Sequence, residues 1–327
     1  MATREELLNA LKKKPGQWVS GEVLSGRLGI SRAAVSKHVA ILKQAGYAIL
    51  SSSGKGYAFQ ETSDLILPEE IRHGLETTLF GKHHIEYHPM IPSTNDRAKE
   101  MAADGAKEGS LVLAEQQSAG RGRKRRVWFS APGDGICLSL VLRPRMAPPE
   151  ASRITLMTAV ALAETLISLT SLPVRIKWPN DILIHGRKLA GILTEMSMEM
   201  DQVDYVVVGL GLNVNTPVER FPKDIRDIAS SLRIETGKPW KRADIIRIFL
   251  RWFEHYYAIV SGTGFVGVMR RWKELSDIIG RTVDVDMIRS HVRGQVQDVD
   301  DDGILILKDE NGEIHRIISG DVLLRDV

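Results

Sequence analysis

The segment Gly120-Arg121-Gly122-Arg123-Lys124-Arg125-Arg126-Val127-Trp128 carries five cationic side chains within six residues. It lies between two apolar runs, Leu111–Ala114 and Ile136–Val141, and each run is typical of a buried strand. The pattern predicts a basic loop between two strands. Glycine lets backbone N–H groups approach an anion, and arginine matches phosphate and carboxylate oxygens. A solvated charge patch, or a non-specific nucleic-acid contact, would fit the same run of charges.

Length and composition limit the class of protein. A chain of 327 residues, 43% of them hydrophobic, is expected to form two or three domains with real cores. No continuous apolar run approaches the roughly 18 residues that span a bilayer, and Met1–Glu6 does not begin a secretory signal. The single cysteine, Cys137, excludes an internal disulfide framework and is expected to be a buried hydrophobe. We therefore expect a cytoplasmic protein with no membrane partner.

The net charge of +3 conceals an asymmetry along the chain. Residues 1–60 carry nine Lys and Arg against three Asp and Glu, which gives +6. The remainder carries 44 − 9 = 35 against 41 − 3 = 38, which gives −3. A basic N-terminal unit on a mildly acidic body indicates that the first unit meets a polyanion.

The N-terminal segment has the spacing of three helices. Ser20 and Ser31 are predicted caps of the second and third helices, and Gly29 is the turn between them. The residues expected to face inward are Leu7, Leu8 and Leu11, then Val23, Leu24 and Leu28, then Val35, Val39 and Leu42. Two short strands, Tyr47–Leu50 and Tyr57–Phe59, follow as a hairpin. This order predicts a winged helix-turn-helix at 1–62.

The outer face of the third helix is small and cationic, as a helix in the major groove requires. Arg32, Ala33, Ser36 and Lys37 are the predicted DNA-binding residues, with Lys55 at the hairpin tip as a phosphate contact. A three-helix structural module with incidental charge is the alternative. A polar linker is predicted at 63–80.

The rest of the chain reads as an α+β multidomain protein. Two apolar helices are predicted at Ile154–Leu169 and Arg242–Val260, and four strands at Val174–Trp178, Ile182–Ile184, Leu189–Met196 and Tyr205–Leu212. They predict a central domain with a mixed sheet at 81–275. Five short strands with Asp-Gly and Asn-Gly turns then predict an SH3-like β-barrel at 276–327.

The central domain lacks the sequence patterns of nucleophilic catalysis. It has no Gly-x-Ser-x-Gly elbow and no Walker loop. The group His83, His84 and His88 has no ordered carboxylate partners, so no dedicated metal site is predicted. What the sequence does offer is anion-binding chemistry around the basic loop and Lys188.

Several strings, taken in order, resemble those of the biotin protein ligases. They are Ser93-Thr94-Asn95, Gln117, the basic loop, Lys177-Trp178-Pro179-Asn180-Asp181, Gly186 to Leu193, and Gly209-Leu210-Gly211-Leu212-Asn213. With the N-terminal segment, the chain resembles the bifunctional biotin protein ligase/biotin operon repressor family over essentially its whole length. The basic loop is the most specific part. It departs from the family pattern at Arg125, where a glycine is frequent, and a requirement for positive φ at that position would give the loop a different path here.

The resemblance implies a two-step reaction. Biotin and ATP form biotinyl-5′-AMP, and a lysine of a biotin carboxyl carrier protein then takes the biotin. It also implies repression of biotin genes by a homodimer that binds operator DNA when loaded with the adenylate. Mg²⁺ would bridge phosphate oxygens.

The resemblance also implies the roles of individual residues. Arg123, Lys188 and Asp181 are the expected catalytic residues. The expected biotin-binding residues are Ser93, Thr94, Asn95, Gln117, Arg121, Gly122, Arg123, Lys188 and Gly191. The expected ATP- or adenylate-binding residues are Gly120, Arg121, Arg123, Trp128, Asn180, Lys188, Asn213 and Arg325. A lipoate-protein ligase-like enzyme and a non-catalytic biotin-sensing transcription factor are the alternatives.

Overall fold

A computed structural model describes residues 2–60, 64–287 and 290–324. The chain divides into two compact units, Met1–Glu70 and Ile71–Val327.

The first unit is a helical bundle with a three-stranded sheet. Its elements are α1 (Ala2–Lys12), β1 (Trp18–Val19), α2 (Gly21–Leu28), α3 (Arg32–Gln44), β2 (Ile49–Ser52) and β3 (Gly56–Phe59). The sheet order is β1-β3-β2, with both pairs antiparallel. Ser20 and Ser31 accept hydrogen bonds from Val23 N and Ala34 N as helix caps, and Gly29 ends α2 at φ 66°. The predicted helix-turn-helix and hairpin are confirmed, whereas β1 was not predicted.

One inward position in this unit was predicted wrongly. Leu24 is buried, but Val23 is 59% exposed. Neighbouring side chains on a helix point about 100° apart, and in α2 only Leu24 is buried, so Val23 lies off the buried face.

The second unit begins with elements that lead into a large sheet. They are α4 (Pro68–Arg72, across the boundary between the units), β4 (Ile85–His88), α5 (Thr94–Ala103), β5 (Leu111–Ala114), β6 (Gly135–Leu142), α6 (Pro148–Ser152), α7 (Ile154–Leu169), β7 (Val174–Lys177), β8 (Asp181–Ile184), β9 (Arg187–Glu199), β10 (Gln202–Asn213), α8 (Leu232–Thr236), α9 (Arg242–Thr263) and α10 (Val266–Leu275). The basic segment between β5 and β6 is a loop, as predicted.

The seven strands are ordered β4-β5-β6-β10-β9-β8-β7. Only β4 and β5 are parallel, so the predicted mixed sheet is confirmed. Val112, Val141 and Val207 pack against α5. On the other face, the Thr155 hydroxyl of α7 donates to Thr194 at 2.9 Å. Because alternate residues of a strand face opposite sides, α5 covers one face and α7 covers the other.

The continuous stretch Pro148–Leu169 is long and apolar enough to cross a membrane by length and composition. In this unit 61% of its most apolar window is buried, and α7 packs against the sheet and α9. Cys137 is also buried, and burial raises the pKa of its thiol to about 11. It is therefore a core residue, as expected.

The unit ends in a second, antiparallel sheet. Its strands are β11 (Thr282–Asp286), β12 (His291–Val299), β13 (Leu305–Asp309), β14 (Ile314–Ile317) and β15 (Asp321–Leu324), in the order β14-β13-β12-β11-β15. All five predicted strands are present. This β-rich part forms one compact unit with the large sheet.

Candidate functional site

A cavity of about 870 Å³ lies on the face of the large sheet that carries α5. Val207 packs under α5, and Gly209 and Gly211 follow it on the same face of β10. Helix α5 begins at Thr94, so it does not cover the part of the sheet beyond that end. The glycines leave this part of the face without side chains, which makes the floor of the cavity.

The indole of Trp128 lies against this floor. Gly191 and Gly211 are paired across β9 and β10. A Cβ at Gly191 would lie 3.3 Å from the Trp128 ring, and one at Gly211 would overlap it. The two glycines therefore give a flat aromatic ring direct access to the backbone, which is the contact that a planar ligand also needs.

The basic loop is a small hairpin, here called the flap and defined as Gly120–Trp128. Arg121 and Val127 form an antiparallel bridge. Trp128 N donates to Gly120 O at 2.9 Å, and Gly122 N donates to Arg126 O at 2.7 Å. The positive φ of 51° in the loop belongs to Lys124, the residue before the position where the family often has glycine.

Three arginines of the flap are bonded to other parts of the unit. Arg121 pairs with Asp96 on α5, and Arg126 pairs with Asp321 at 2.8 Å. Arg123 donates to Ser319 Oγ at 3.1 Å and to Gly320 O at 3.3 Å. Burial lowers the pKa of Arg123, against the carboxylates of Asp321 and Asp181. Its charge is therefore only partly compensated by the protein.

A buried polar cluster closes the cavity at α5. Ser93 Oγ caps the helix by accepting from Asp96 N at 3.3 Å. Thr94 donates from its N and its hydroxyl to Gln117 Oε1, at 2.8 and 3.0 Å. The Ser139 hydroxyl lies 2.8 Å from Thr94 Oγ1 and 2.7 Å from Asn95 Oδ1.

Asn95 is bonded on both sides of its amide. Its Nδ2 donates to Leu193 O at 3.2 Å and to Glu195 Oε2 at 2.8 Å. Only 5% of the residue is exposed. Ser93 and Thr94, at 4% and 3%, are buried to the same degree, so the contact of all three residues with biotin stays a prediction.

Lys188 stands opposite the flap on β9. Its Nζ lies 2.7 Å from Asp181 Oδ1 and 5.9 Å from the centre of the Trp128 ring. Asn180 donates to Ile192 O at 2.7 Å, and Asn213 ends β10 with 8% of its surface exposed. The cavity thus has a polar end at α5 and a cationic side at Lys188 and Arg123.

Most predicted site residues line this one cavity. They are Ser93, Thr94, Asn95, Gln117, Arg121, Gly122, Arg123, Trp128, Asn180, Asp181, Lys188, Gly191 and Asn213. Gly120 lies at the base of the flap, and Arg325 lies outside the described residues.

Further lining residues were not selected from the sequence. They are Lys177, Gly209, Gly211, Phe221, Ile225, Ile228, Asp277, Arg281 and Asp321, among others. The alternating glycines of β10 were a usable signal, because glycine within a strand marks close approach of a ligand or another chain. Asp277, Arg281 and Asp321 come from distant segments, and no local pattern points to them.

The N-terminal unit presents the second candidate surface. Val35, Val39 and Leu42 bury one face of α3, while Arg32, Ala33, Ser36 and Lys37 are exposed on the other. Lys55 is exposed at the turn between β2 and β3. Lys43 Nζ donates to Ser51 Oγ at 2.8 Å and ties α3 to this hairpin. A cationic helix face beside a basic hairpin is suited to a groove and its flanking phosphates.

Three family models match successive parts of the chain. An HTH domain matches residues 3–58, the Biotin/lipoate A/B protein ligase family matches residues 87–213, and the Biotin protein ligase C terminal domain matches residues 278–325.

Similar proteins match over nearly the whole length. The Bifunctional ligase/repressor BirA of Bacillus subtilis is 38% identical over 321 residues, which cover 98% of each chain. The protein of the same name from Escherichia coli is 31% identical over 95% of this chain and 94% of its own. The solved structure of a biotin protein ligase from Aquifex aeolicus in complex with biotin and ATP is 25% identical, with a TM-score of 0.64. It covers 75% of this chain and 99% of that one.

Proposed function

Since the chain belongs to the family of bifunctional biotin protein ligases and repressors, we propose that the cavity beneath the flap joins biotin to AMP. The protein is a biotin–protein ligase and a DNA-binding repressor. Its substrates are biotin and ATP. The observation that carries the assignment of the site is the position of Arg123 and Lys188, which line one cavity whose glycine floor already accepts a flat ring.

In the first step, a carboxylate oxygen of biotin attacks the α-phosphorus of ATP. The bond from that phosphorus to the bridging oxygen breaks, and pyrophosphate leaves with the electron pair. Two anions must approach each other, and negative charge increases on the phosphate oxygens. Arg123 and Lys188 stabilise that charge, and Arg121 assists from the flap.

The neutral ring of biotin needs both hydrogen-bond donors and hydrogen-bond acceptors from the protein. Ser93, Thr94, Asn95 and Gln117 supply them at the α5 end of the cavity. Gly122 and Gly191 line the cavity and are assigned to the rest of the biotin molecule. The ring of Trp128, with Asn180 and Asn213, is assigned to the nucleotide. Gly120 and Arg325 are retained as nucleotide contacts.

In the second step, the amine of the carrier lysine attacks the carbonyl carbon of the adenylate, and AMP leaves. Asp181 orients that amine, because its carboxylate lines the cavity beside Lys188. Mg²⁺ fits this site by the chemistry of its donors, since Asp181 and Asp321 supply the oxygen ligands that the ion prefers. When bound to the phosphates, it would neutralise part of their charge.

The direct test is calorimetry with biotin and ATP, followed by mass analysis of the bound species. We expect release of pyrophosphate and a bound biotinyl-5′-AMP. Lipoate in place of biotin is the control, and equal turnover of lipoate would favour a lipoate ligase. Binding of biotin without any release of pyrophosphate would contradict the proposal and favour a non-catalytic biotin-sensing transcription factor.

For the repressor activity, Arg32, Ala33, Ser36 and Lys37 are assigned to the major groove of the operator and Lys55 to a phosphate. Lys55→Ala should lower the slope of log K against log salt concentration by about one. The change should be the same on an operator duplex and on a scrambled duplex. Ser36→Ala should instead alter the ratio between the two duplexes. An unchanged salt slope for Lys55→Ala contradicts the assignment of the wing.

The partners are assigned to the edge of β9. Strand β8 pairs with β9 only between Arg187 and Gly191, whereas β9 continues to Glu199. Among the described strands, residues 193–199 of β9 pair with β10 and with no strand on their other side. Met196 and Met198 in this segment are 36% and 56% exposed. A free edge accepts a further strand. We assign it either to a second copy, when the adenylate is bound, or to the carrier protein.

The domain limits also remain proposals: 1–62 for DNA binding, 63–80 as linker, 81–275 for catalysis and 276–327 for the C-terminal domain. The linker range contains the helix Pro68–Arg72 and the buried side chains of Ile66 and Phe80. A cytoplasmic location is proposed because operator DNA and carrier protein must both be within reach.

A further inference from the structure

Lys177 is a half-buried cation at the end of β7. It lines the cavity and stands opposite Asp181 in the register of β7 and β8. Within the described part of the chain, its ammonium forms neither an ion pair nor a hydrogen bond. The strand therefore directs an unpaired positive charge toward the cavity.

The other cations of the cavity have partners in the protein. The pairs are Arg121 with Asp96, Arg126 with Asp321, Arg187 with Glu235, Lys188 with Asp181 and Arg281 with Asp277. Arg123 donates to Ser319 and Gly320. Lys177 is thus the cation whose charge these residues compensate least.

Burial lowers the pKa of Lys177, with Lys188 and Arg126 acting in the same direction against Asp181 and Asp321. A half-buried ammonium without a partner destabilises the folded protein. Cations of this kind are characteristic of functional sites, because a bound anion supplies the compensation that the protein lacks.

The order of the strands indicates which anion Lys177 would bind. The polar cluster that would hold the biotin ring lies at α5, over β6 and β10, and Lys188 is on β9. Strand β7 lies two strands beyond β9, a distance of about 10 Å at the usual spacing. A carboxylate placed at Lys188 therefore has Lys177 beyond it, on the side away from the ring.

We propose that Lys177 binds the pyrophosphate leaving group of ATP and is a further catalytic residue of adenylate formation. In an in-line displacement the leaving group departs opposite the attacking oxygen. When the carboxylate oxygen bonds to the α-phosphorus, the broken phosphorus–oxygen bond leaves its electron pair on pyrophosphate. The Lys177 ammonium stabilises that charge without giving up its proton. This inference rests on the proposed function.

The test uses Lys177→Met and Lys177→Arg in the full chain, with Arg175→Met as matched control. Arg175 is a cation on the same strand and the same face but is exposed outside the cavity. For Lys177→Met we expect kcat/KM for ATP in pyrophosphate release to fall by about 10²-fold. Lys177→Arg should recover most of it, and Arg175→Met should match the wild type.

Two further measurements separate catalysis from a structural role. Transfer of biotin from added biotinyl-5′-AMP to carrier protein should be normal in Lys177→Met, because pyrophosphate takes no part in that step. The Tm of Lys177→Met should equal or exceed that of the wild type, because the variant removes an unpaired charge. A structural role predicts a lower Tm and slower transfer.

Normal pyrophosphate release by Lys177→Met would overturn the inference and leave the proposed function intact. An equal loss in transfer from added adenylate would overturn it as well. If the wild type releases no pyrophosphate with biotin and ATP, the proposed function itself fails.

Discussion

The amide of Asn95 is bonded to β6 through Ser139 and to β9 through Leu193 and Glu195. It also lies directly over Gly209, where a Cβ would overlap it. With both of its polar atoms engaged, Asn95 holds two strands of the cavity floor in register with the start of α5. It lines the α5 end of the cavity together with Ser93, Thr94 and Gln117, and its contact with the biotin ring stays a prediction.

The Ser139 hydroxyl is the centre of this cluster. It is fully buried and contacts both Thr94 and Asn95. Ser139→Ala should lower the free energy of unfolding by about 1–3 kcal/mol, because buried polar atoms lose their partner. It should also weaken binding of biotin in calorimetry. Ser118→Ala, at an exposed serine, is the control. Full biotin affinity in Ser139→Ala would show that the cluster does not shape the site.

Glu86 gives a prediction for the dependence of stability on pH. Hydrogen bonds from Arg97 and His88 lower its pKa from 4.5 to about 2, against the opposing effect of burial. A lowered carboxyl pKa stabilises the fold above the unfolded pKa, and that stabilisation is lost as the pH falls from 4.5 to about 2.

The matching variant is Glu86→Gln. At neutral pH it should unfold at a lower urea concentration than the wild type. The difference between the two unfolding midpoints should disappear as the pH falls from 4.5 to about 2. Glu100→Gln provides the comparison, because Glu100 pairs with the same Arg97 but its side chain is 63% exposed. A difference between Glu86→Gln and wild type that does not vary with pH contradicts the assigned pKa.

Among the elements, the flap connects the two sheets of the second unit. Lys124 donates to Asp286 O at 2.7 Å, and Arg126 pairs with Asp321. Both contacts are with the β-rich C-terminal part. A mixed anhydride is prone to hydrolysis, so water must be excluded while the adenylate is held. The flap is placed to provide that cover.

Trypsin is a suitable probe, since the flap contains five cleavage sites at Arg121, Arg123, Lys124, Arg125 and Arg126. We expect cleavage in the flap to slow when biotin and ATP are added together, because the bound adenylate orders the loop. AMP alone should protect much less. Equal cleavage with and without adenylate would contradict the role of the flap as a cover.

Local patterns predicted most elements of the fold. The helix spacing of α3, α7 and α9 and the Asp-Gly and Asn-Gly turns of the C-terminal strands were sufficient, because these signals depend on near neighbours. Two features were not predicted. Strand β1 has two residues and is formed by pairing with the distant β3, and Val23 lies off the one buried face of α2.

The residues of the cavity likewise divide into those that local patterns predicted and those that they did not. Residues in recognisable strings, such as Thr94, Gln117 and Lys188, were selected, and the structure brings them together. Lys177 stood within a quoted string but was not selected, because its lack of a partner is visible only in three dimensions. Asp277 and Asp321 reach the cavity through the packing of the C-terminal strands, which no local pattern predicts.

At the scale of the whole molecule, charge separates the two activities. The first 60 residues carry +6 and the remainder −3, so polyanionic DNA is drawn to one unit and the catalytic unit adds no general attraction for it. The free edge of β9 belongs to the catalytic unit. Competition for that edge would link the enzyme to the repressor without a separate signal.

This link predicts exclusive assemblies. In sedimentation, protein loaded with biotinyl-5′-AMP should form a homodimer, and addition of carrier protein lacking its target lysine should convert the dimer to a one-to-one complex. Met198→Asp, at the exposed part of β9, should weaken dimerisation and leave adenylate formation unchanged. Dimer and carrier complex coexisting in one assembly would contradict a shared edge.

The central claim is that Arg123 and Lys188 stabilise the charge that develops as the acid is activated. Single-turnover release of pyrophosphate from biotin and ATP tests it most directly in the double variant Arg123→Met, Lys188→Met. The Tm serves to show that the variant is folded. We predict a rate at least about 10³-fold below that of the wild type, and release at the normal rate would contradict the claim.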